Sequence, residues 1–185
     1  MAITNAGVPQ GGILSPLLFN IYASDQPVTE NTLVADYADD KVLISIHENP
    51  LLIPSGNLQI HLNLMSSWYT KWRIKLNHTK SMHSTFTLKH GLCPPVSLDN
   101  IPIPASDTVK YLGLILDKIL TWNPHIRSKR LILNSRSRML KILLSKNKCT
   151  SFKNKLLIYK TCLKPIWTYG IQLWGAAKKS NLNKI

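Results

Sequence analysis

Leu33-Val34-Ala35-Asp36-Tyr37-Ala38-Asp39-Asp40-Lys41-Val42-Leu43-Ile44-Ser45-Ile46 sets two adjacent carboxylates between two apolar runs. The flanking apolar residues predict a short hairpin with Asp39 and Asp40 at its tip. Like charges held together on a rigid element are costly unless a cation neutralises them, so the tip reads as a seat for Mg²⁺. Upstream, Gly7-Val8-Pro9-Gln10-Gly11-Gly12-Ile13-Leu14-Ser15-Pro16 combines a glycine-rich turn, which lets backbone approach a ligand closely, with a serine and proline that open a helix. That helix continues through Leu17-Leu18-Phe19-Asn20-Ile21-Tyr22 and is apolar enough to be expected buried, a fully buried strand being the alternative.

Further outward, Pro50, Pro54 and Gly56 read as a loop, and a helix resumes near Leu58. Its apolar face comprises Leu58, Leu62, Met65 and Tyr69, joined by His61, Trp68 and Trp72, and reads as core. Residues 82–88 and 109–116 read as strands, separated by Pro94, Pro95, Pro102 and Pro104, which limit pairing to short edges. Beyond Trp122 the pattern is helical. Asn123 caps and Pro124 starts a helix with Ile126, Leu133, Leu140 and Leu144 on one stripe, a second begins near Thr150, and a third at Pro165. The fold class expected is α+β: a small antiparallel sheet with packed helices over residues 1–117, then an all-helical basic region over 118–185.

The 185-residue chain is 44% hydrophobic, enough for a folded core, and no apolar run reaches the ~18 residues of a membrane span. No membrane partner is expected. The N-terminus lacks a secretory pattern, and Cys93, Cys149 and Cys162 suggest neither a disulfide framework nor a zinc site, which fits a reducing compartment, intracellular, nucleus or cytoplasm, if the chain is expressed. His83, His90 and Cys93 match no standard ligand spacing. Charge is unevenly distributed. Residues 1–92 carry six Lys/Arg and six Asp/Glu, whereas residues 93–185 carry seventeen Lys/Arg against Asp99, Asp107 and Asp117, which accounts for the net +14. Arg127, Lys129, Arg130, Arg136, Arg138 and Lys141 stud the first of the C-terminal helices. A segment of one sign favours a polyanion, and nucleic acid is the partner expected, a merely solvated basic face being the alternative.

These residues resemble the reverse transcriptases of non-LTR retrotransposons, of the LINE or jockey-like type. Gly7 to Tyr22 resembles the family's substrate-binding motif and following helix, Tyr37-Ala38-Asp39-Asp40 its catalytic hairpin, and Ile74-Lys75-Leu76-Asn77-His78-Thr79-Lys80 the segment that places a lysine near nucleotide phosphates. Tyr111 to Asp117 with Leu120-Thr121-Trp122 resembles the end of the palm and start of the thumb, and Leu163 to Trp174 the stretch beyond. The resemblance implies an RNA-directed DNA polymerase, a nucleotidyltransferase using RNA template, DNA primer and deoxynucleoside triphosphates with a two-Mg²⁺ site. It carries over Asp39 and Asp40 as catalytic metal ligands, Pro9, Gln10 and Gly11 as nucleotide and template contacts, and Lys80 as a triphosphate contact.

The resemblance also implies a further catalytic aspartate and the fingers upstream of Gly7, beyond the start of this sequence, so a truncated palm and thumb, inactive alone, is expected. Asp25 and Asp36 are no convincing replacements, and the ammonium of Lys41 could compete with the metal. Two other readings compete with this one: a non-catalytic nucleic-acid-binding remnant using the basic helices, and a metal-dependent nuclease. The nuclease would need a third carboxylate or histidine that no motif supplies.

Overall fold

The computed structural model describes residues 11–48, 53–89, 91, 93–145 and 150–183. Two compact units are present, one of Met1–Thr85 with Lys89–Ala105 and one of Phe86–Leu88 with Ser106–Ile185.

In the first unit, helix α1 (Ser15–Tyr22) precedes the antiparallel pair β1 (Leu33–Tyr37) and β2 (Asp40–Ile44), with Leu33 opposite Ile44 and Tyr37 opposite Asp40. Helix α2 (Ile53–Lys71) follows, then a 3₁₀ turn at His78–Lys80 and the short pair β3 (Ser97–Leu98) and β4 (Ile101–Pro102). Leu62, Val96 and Leu98 are buried together, with Leu43, Leu58, Leu76 and Ile103 packed around them. Backbone pairing of β3 is reinforced from α2 by the Gln59 amide, which donates to the Ser97 carbonyl at 2.9 Å and accepts from the Ser97 N–H at 2.7 Å.

Several local expectations are corrected here. Helix α1 forms, but its N-cap falls on Leu14, with Ser15 already helical and Pro16 in the first turn. It has no buried residue. Helix α2 starts at Ile53, five residues ahead of Leu58, because a proline is tolerated in a first turn where its missing N–H would be unpaired anyway. Residues 82–88 form no strand; His83 makes only an isolated bridge to Ala105.

In the second unit, residues 109–116 are not one strand but a hairpin, β5 (Thr108–Tyr111) and β6 (Leu114–Asp117). Leu112 and Gly113 both have positive φ, the conformation of a two-residue turn between twisted strands. The sheet content among the described residues is therefore three separate two-stranded pairs. Helix α3 (Asn123–Leu144) is followed by α4 (Phe152–Ile158), a π-helical turn at Tyr159–Leu163, α5 (Lys164–Thr168), α6 (Ile171–Trp174) and α7 (Lys179–Leu182).

Asn123 is not the cap of α3: Trp122 occupies that position in the left-handed region. The turn before it is organised by Asp117, which accepts from the Thr121 N–H at 2.9 Å, the Thr121 hydroxyl at 2.8 Å and the Trp122 N–H at 2.9 Å. Behind it His125, 1% exposed, accepts the Ile115 N–H on Nδ1 and lies between the rings of Trp122 and Trp174. Ile126 and Trp174 complete this core. Tyr169 donates its hydroxyl to the Leu112 carbonyl at 2.7 Å, and a Cβ at Gly170 would come within 2.7 Å of Leu114, so the hairpin turn and the Tyr169-Gly170 bend fit closely.

Candidate active site

Because Tyr37 pairs with Asp40, Ala38 and Asp39 are the two residues of the hairpin turn, and Asp39 and Asp40 stand exposed at its tip. Ala38 adopts a φ of 53°, a left-handed conformation that costs a residue with a Cβ about 1–2 kcal/mol. Ala38→Gly should therefore stabilise the first unit by about 0.5–1 kcal/mol, glycine's greater freedom in the unfolded chain offsetting part of the relief. A higher urea midpoint would show it, and a lower one would count against the strain.

The electrostatic state of the two tip carboxylates separates them from every other aspartate described. Asp25 accepts from the indole N–H groups of Trp68 and Trp72 and from Lys71, and Asp36 from Gln26 and Lys41. Asp99 is bonded to Ser66 and lies 3.9 Å from His78, Asp107 pairs with Lys118, and Asp117 holds the turn before α3. Asp39 and Asp40 have no hydrogen-bond or ion-pair partner among the described residues. A rigid turn carrying two uncompensated carboxylates retains the coordination capacity that the other aspartates have spent.

Asp36 and Lys41 face each other across the two strands and, by strand alternation, project to the side opposite Tyr37 and Asp40. Their 2.6 Å ion pair is joined by Gln26, whose amide donates to Asp36 at 2.6 Å and accepts from Lys41. The expected competition between Lys41 and a metal is thereby corrected: its ammonium is engaged on the other face. Asp36, equally engaged, adds no third ligand to the tip. Asp25 is likewise committed; the Trp68 hydrogen bond foremost, then that from Lys71, holds its carboxyl below the usual range. No group of three or more His, Cys, Asp or Glu side chains suited to a metal occurs among the described residues, so the tip offers two ligands, not a closed site.

Beside the tip, Phe19 and Asn20 of α1, Ala23 just after it, and Gln26, Asp36 and Ala38 line a cavity of about 320 Å³. Gly11 is exposed with a φ of +85° and open space where a Cβ would stand, as a close ligand approach requires. Pro9 and Gln10, expected to line the nucleotide and template pocket, lie outside the described residues. Lys80 ends the 3₁₀ turn that Asn77 caps through Thr79, and its exposed ammonium has no carboxylate partner among the described residues.

The basic residues of α3 do not form one face. At about 3.6 residues per turn, Arg127, Arg130, Arg138 and Lys141 share a sector of about 80°, and all four are exposed. Arg136 lies on the far side of the helix. Lys129 is turned inward, its ammonium 5.1 Å from the centre of the Tyr169 ring, and burial lowers its pKa.

The family model for reverse transcriptase (RNA-dependent DNA polymerase) matches residues 2–116. Along nearly its whole length the chain is similar to three Drosophila melanogaster proteins. It is 35% identical to the probable RNA-directed DNA polymerase from transposon BS over 99% of the chain, and 36% identical to that from transposon X-element over 97%. To the RNA-directed DNA polymerase from mobile element jockey it is 36% identical over 97%. These matches cover 21%, 20% and 20% of the relatives, so the chain spans about a fifth of their length. No solved structure matches the chain. The chain belongs to the reverse transcriptase family, in its non-LTR, jockey-like branch.

Proposed function

We propose that this chain forms part of the RNA-directed DNA polymerase of a non-LTR retrotransposon, with residues 1–117 contributing to an α+β palm and 118–185 to a helical thumb. The observation that carries the reading is that Asp39 and Asp40, on a strained turn, are the two described aspartates left without a partner. They fit Mg²⁺, a hard cation that takes oxygen ligands and needs few protein carboxylates when substrate phosphates and water supply the rest. Bound there, the ions would activate the primer 3′-hydroxyl and offset charge on the departing pyrophosphate.

The residues of the chain then have distinct tasks. Asp39 and Asp40 hold and orient. Gln26, Asp36 and Lys41 fix the strands behind them, keeping the Lys41 ammonium away from the tip. Lys80 offers an unpaired cation for triphosphate, and the exposed Gly11 lets backbone approach base pair and template closely. Arg127, Arg130, Arg138 and Lys141 grip the RNA template and DNA primer through phosphate.

Mn²⁺ binding, followed by loss of the free-ion electron paramagnetic resonance signal, tests the tip directly. Asp39→Asn with Asp40→Asn should weaken binding at least tenfold; unchanged binding would refute the ligand assignment. Primer extension on an RNA template tests the reaction, in any length of this protein that extends a primer. There Asp39→Ala should abolish incorporation, and persistence of incorporation would overturn the proposal. The basic sector predicts a fall in affinity for an RNA–DNA duplex with a log–log salt slope of about −3 to −4, one counterion for each of four cations.

A further inference from the structure

Within the second unit, Leu133, Asn134 and Ser137 of α3 face Tyr159, Leu163 and Trp167 across a groove of about 400 Å³. Its composition is unlike a packing defect. One side gives an amide and a hydroxyl, the other two aromatic side chains, and Leu133 and Leu163 add apolar surface. The Asn134 amide, the Ser137 hydroxyl, the Tyr159 hydroxyl and the Trp167 indole N–H all lack a hydrogen-bond partner among the described residues. Elsewhere Trp68, Trp72 and Trp174 each donate their indole N–H to a protein oxygen, whereas Trp122, like Trp167, makes no such bond among the described residues. No ring contact joins Tyr159 to Trp167 among the described residues, so neither aromatic shields the other.

Two further observations bear on what the groove takes. Tyr159 opens a π-helical turn, Tyr159–Leu163, an interruption of regular helix that is enriched at functional sites. By helical phase, Asn134 lies inside the sector of Arg127, Arg130, Arg138 and Lys141, and Ser137 at its edge. The groove is thus rimmed by exposed cations, and no acidic residue follows Asp117 anywhere in the chain. An acidic side chain has no planar apolar body to fill such a groove, and an aliphatic ligand would leave four polar groups unpaired. A nucleotide matches this set: a π face for the Tyr159 and Trp167 rings, a base edge of donors and acceptors for Asn134 and Ser137, sugar and phosphate oxygens within reach of the Tyr159 hydroxyl and Trp167 N–H, and flanking phosphates for the arginines.

We propose that this groove holds one unpaired nucleobase of a single strand whose phosphates lie on the α3 basic sector. This deepens the reading of the basic helices as a nucleic-acid grip and rests on it. Phosphate contact alone is indifferent to bases, whereas a groove of this kind requires them. The same chemistry is offered by RNA and by DNA, so both are tested.

The full 185-residue chain is titrated into fluorescein-labelled oligo(U) and oligo(dT) twelve-mers, and into an abasic twelve-mer with the same phosphates, at fixed salt. The expected result is about tenfold tighter binding of a base-bearing strand than of the abasic one, the arm with the larger gain naming the preferred strand. Asn134→Ala and Tyr159→Leu should each erase most of that ratio while leaving the abasic affinity unchanged. Asn134 is exposed on α3, so its replacement should leave the fold intact; circular dichroism checks this, and Ser137→Ala stands in for Tyr159→Leu should that variant fail to fold. Equal affinity for base-bearing and abasic strands overturns the groove while sparing the phosphate grip. A base-dependent gain that survives both substitutions also overturns it. Failure of all three strands to bind removes the grip and the groove together.

Discussion

Asp117→Ala is expected to destabilise the second unit by about 3 kcal/mol and to lower its melting temperature by about 12–24 °C. Three donors converge on this largely buried carboxylate, two from Thr121 and one from Trp122, and a hydrogen bond to a charged acceptor contributes about 1.5–3 kcal/mol. The loss is smaller than the full sum because the turn can relax and admit water. Its importance comes from what it holds: Leu120 and Trp122 both have positive φ, at 51° and 62°, a conformation that side chains with a Cβ resist. Without the carboxylate, that strain at the entry to α3 is left to fewer holds, the Leu120 N–H on the Asp117 carbonyl and the Asn181 amide on the Thr121 carbonyl among them.

The pH response has a definite sense. Burial acts to raise the Asp117 pKa, but the hydrogen bonds from Thr121 and Trp122 outweigh it and the net shift is downward. A carboxyl with a depressed folded pKa contributes stability that is present above its unfolded value, near 3.8, and lost as pH falls through the folded one. At neutral pH the alanine variant should therefore show its full deficit, and near pH 3 the gap from the parent should narrow. Near-ultraviolet circular dichroism, which reads the Trp122 and Trp174 environment, follows the transition. A parent and variant that melt together at pH 7 would remove Asp117 from this role.

The hairpin was legible in the sequence because its signal is local: two apolar runs and a polar tip determine a two-residue connection. Pro124 likewise marked the first turn of α3, since a residue without an N–H suits a helix start. The cap of that helix was not legible, because the acceptor sits at Asp117, at the end of a strand, and only the bend at Leu120 and Trp122 brings it back. Burial of α1 was read from composition alone, yet Leu17, Leu18 and Ile21 are 56%, 48% and 62% exposed: an apolar sequence records a tendency to be covered, not the presence of a cover. At the tip the two aspartates were identified correctly as a pair on a bend. The disposition of Lys41 was hidden, because its partner Gln26 lies in a connection with no periodicity. The α3 groove was invisible for a similar reason: Asn134 and Ser137 acquire meaning only once Tyr159 and Trp167 face them.

Mild acid should weaken the fold well before any aspartate is neutralised, because two histidines are buried in uncharged form. His61 is 0% and His125 1% exposed, and burial, the leading cause in each, lowers both pKa values below the ordinary 6.5. Nearby lysines, Lys41 and Lys129, push in the same direction. The hydrogen bonding explains why protonation is resisted. His125 uses Nδ1 to accept the Ile115 N–H, so a proton there would break the link between α3 and β6, and its Nε2 is buried without a partner. His61 shares Nδ1 with the Thr29 hydroxyl, and its Nε2 is also buried and unpartnered.

In the unfolded chain both imidazoles take up protons near pH 6.5 while the folded chain resists, so unfolding binds protons and stability falls as pH drops. The loss approaches about 1.4 kcal/mol per histidine for each pH unit between the unfolded and folded pKa values. Going from pH 7.5 to 5.5 should accordingly lower the urea midpoint, in the first unit through His61 and in the second through His125. His125→Gln should be less stable at pH 7.5 yet lose less on acidification than the parent, which separates this mechanism from the general repulsion of a chain with net charge +14. A parent midpoint that holds steady or rises at pH 5.5 would show that neither ring is stored in the neutral state.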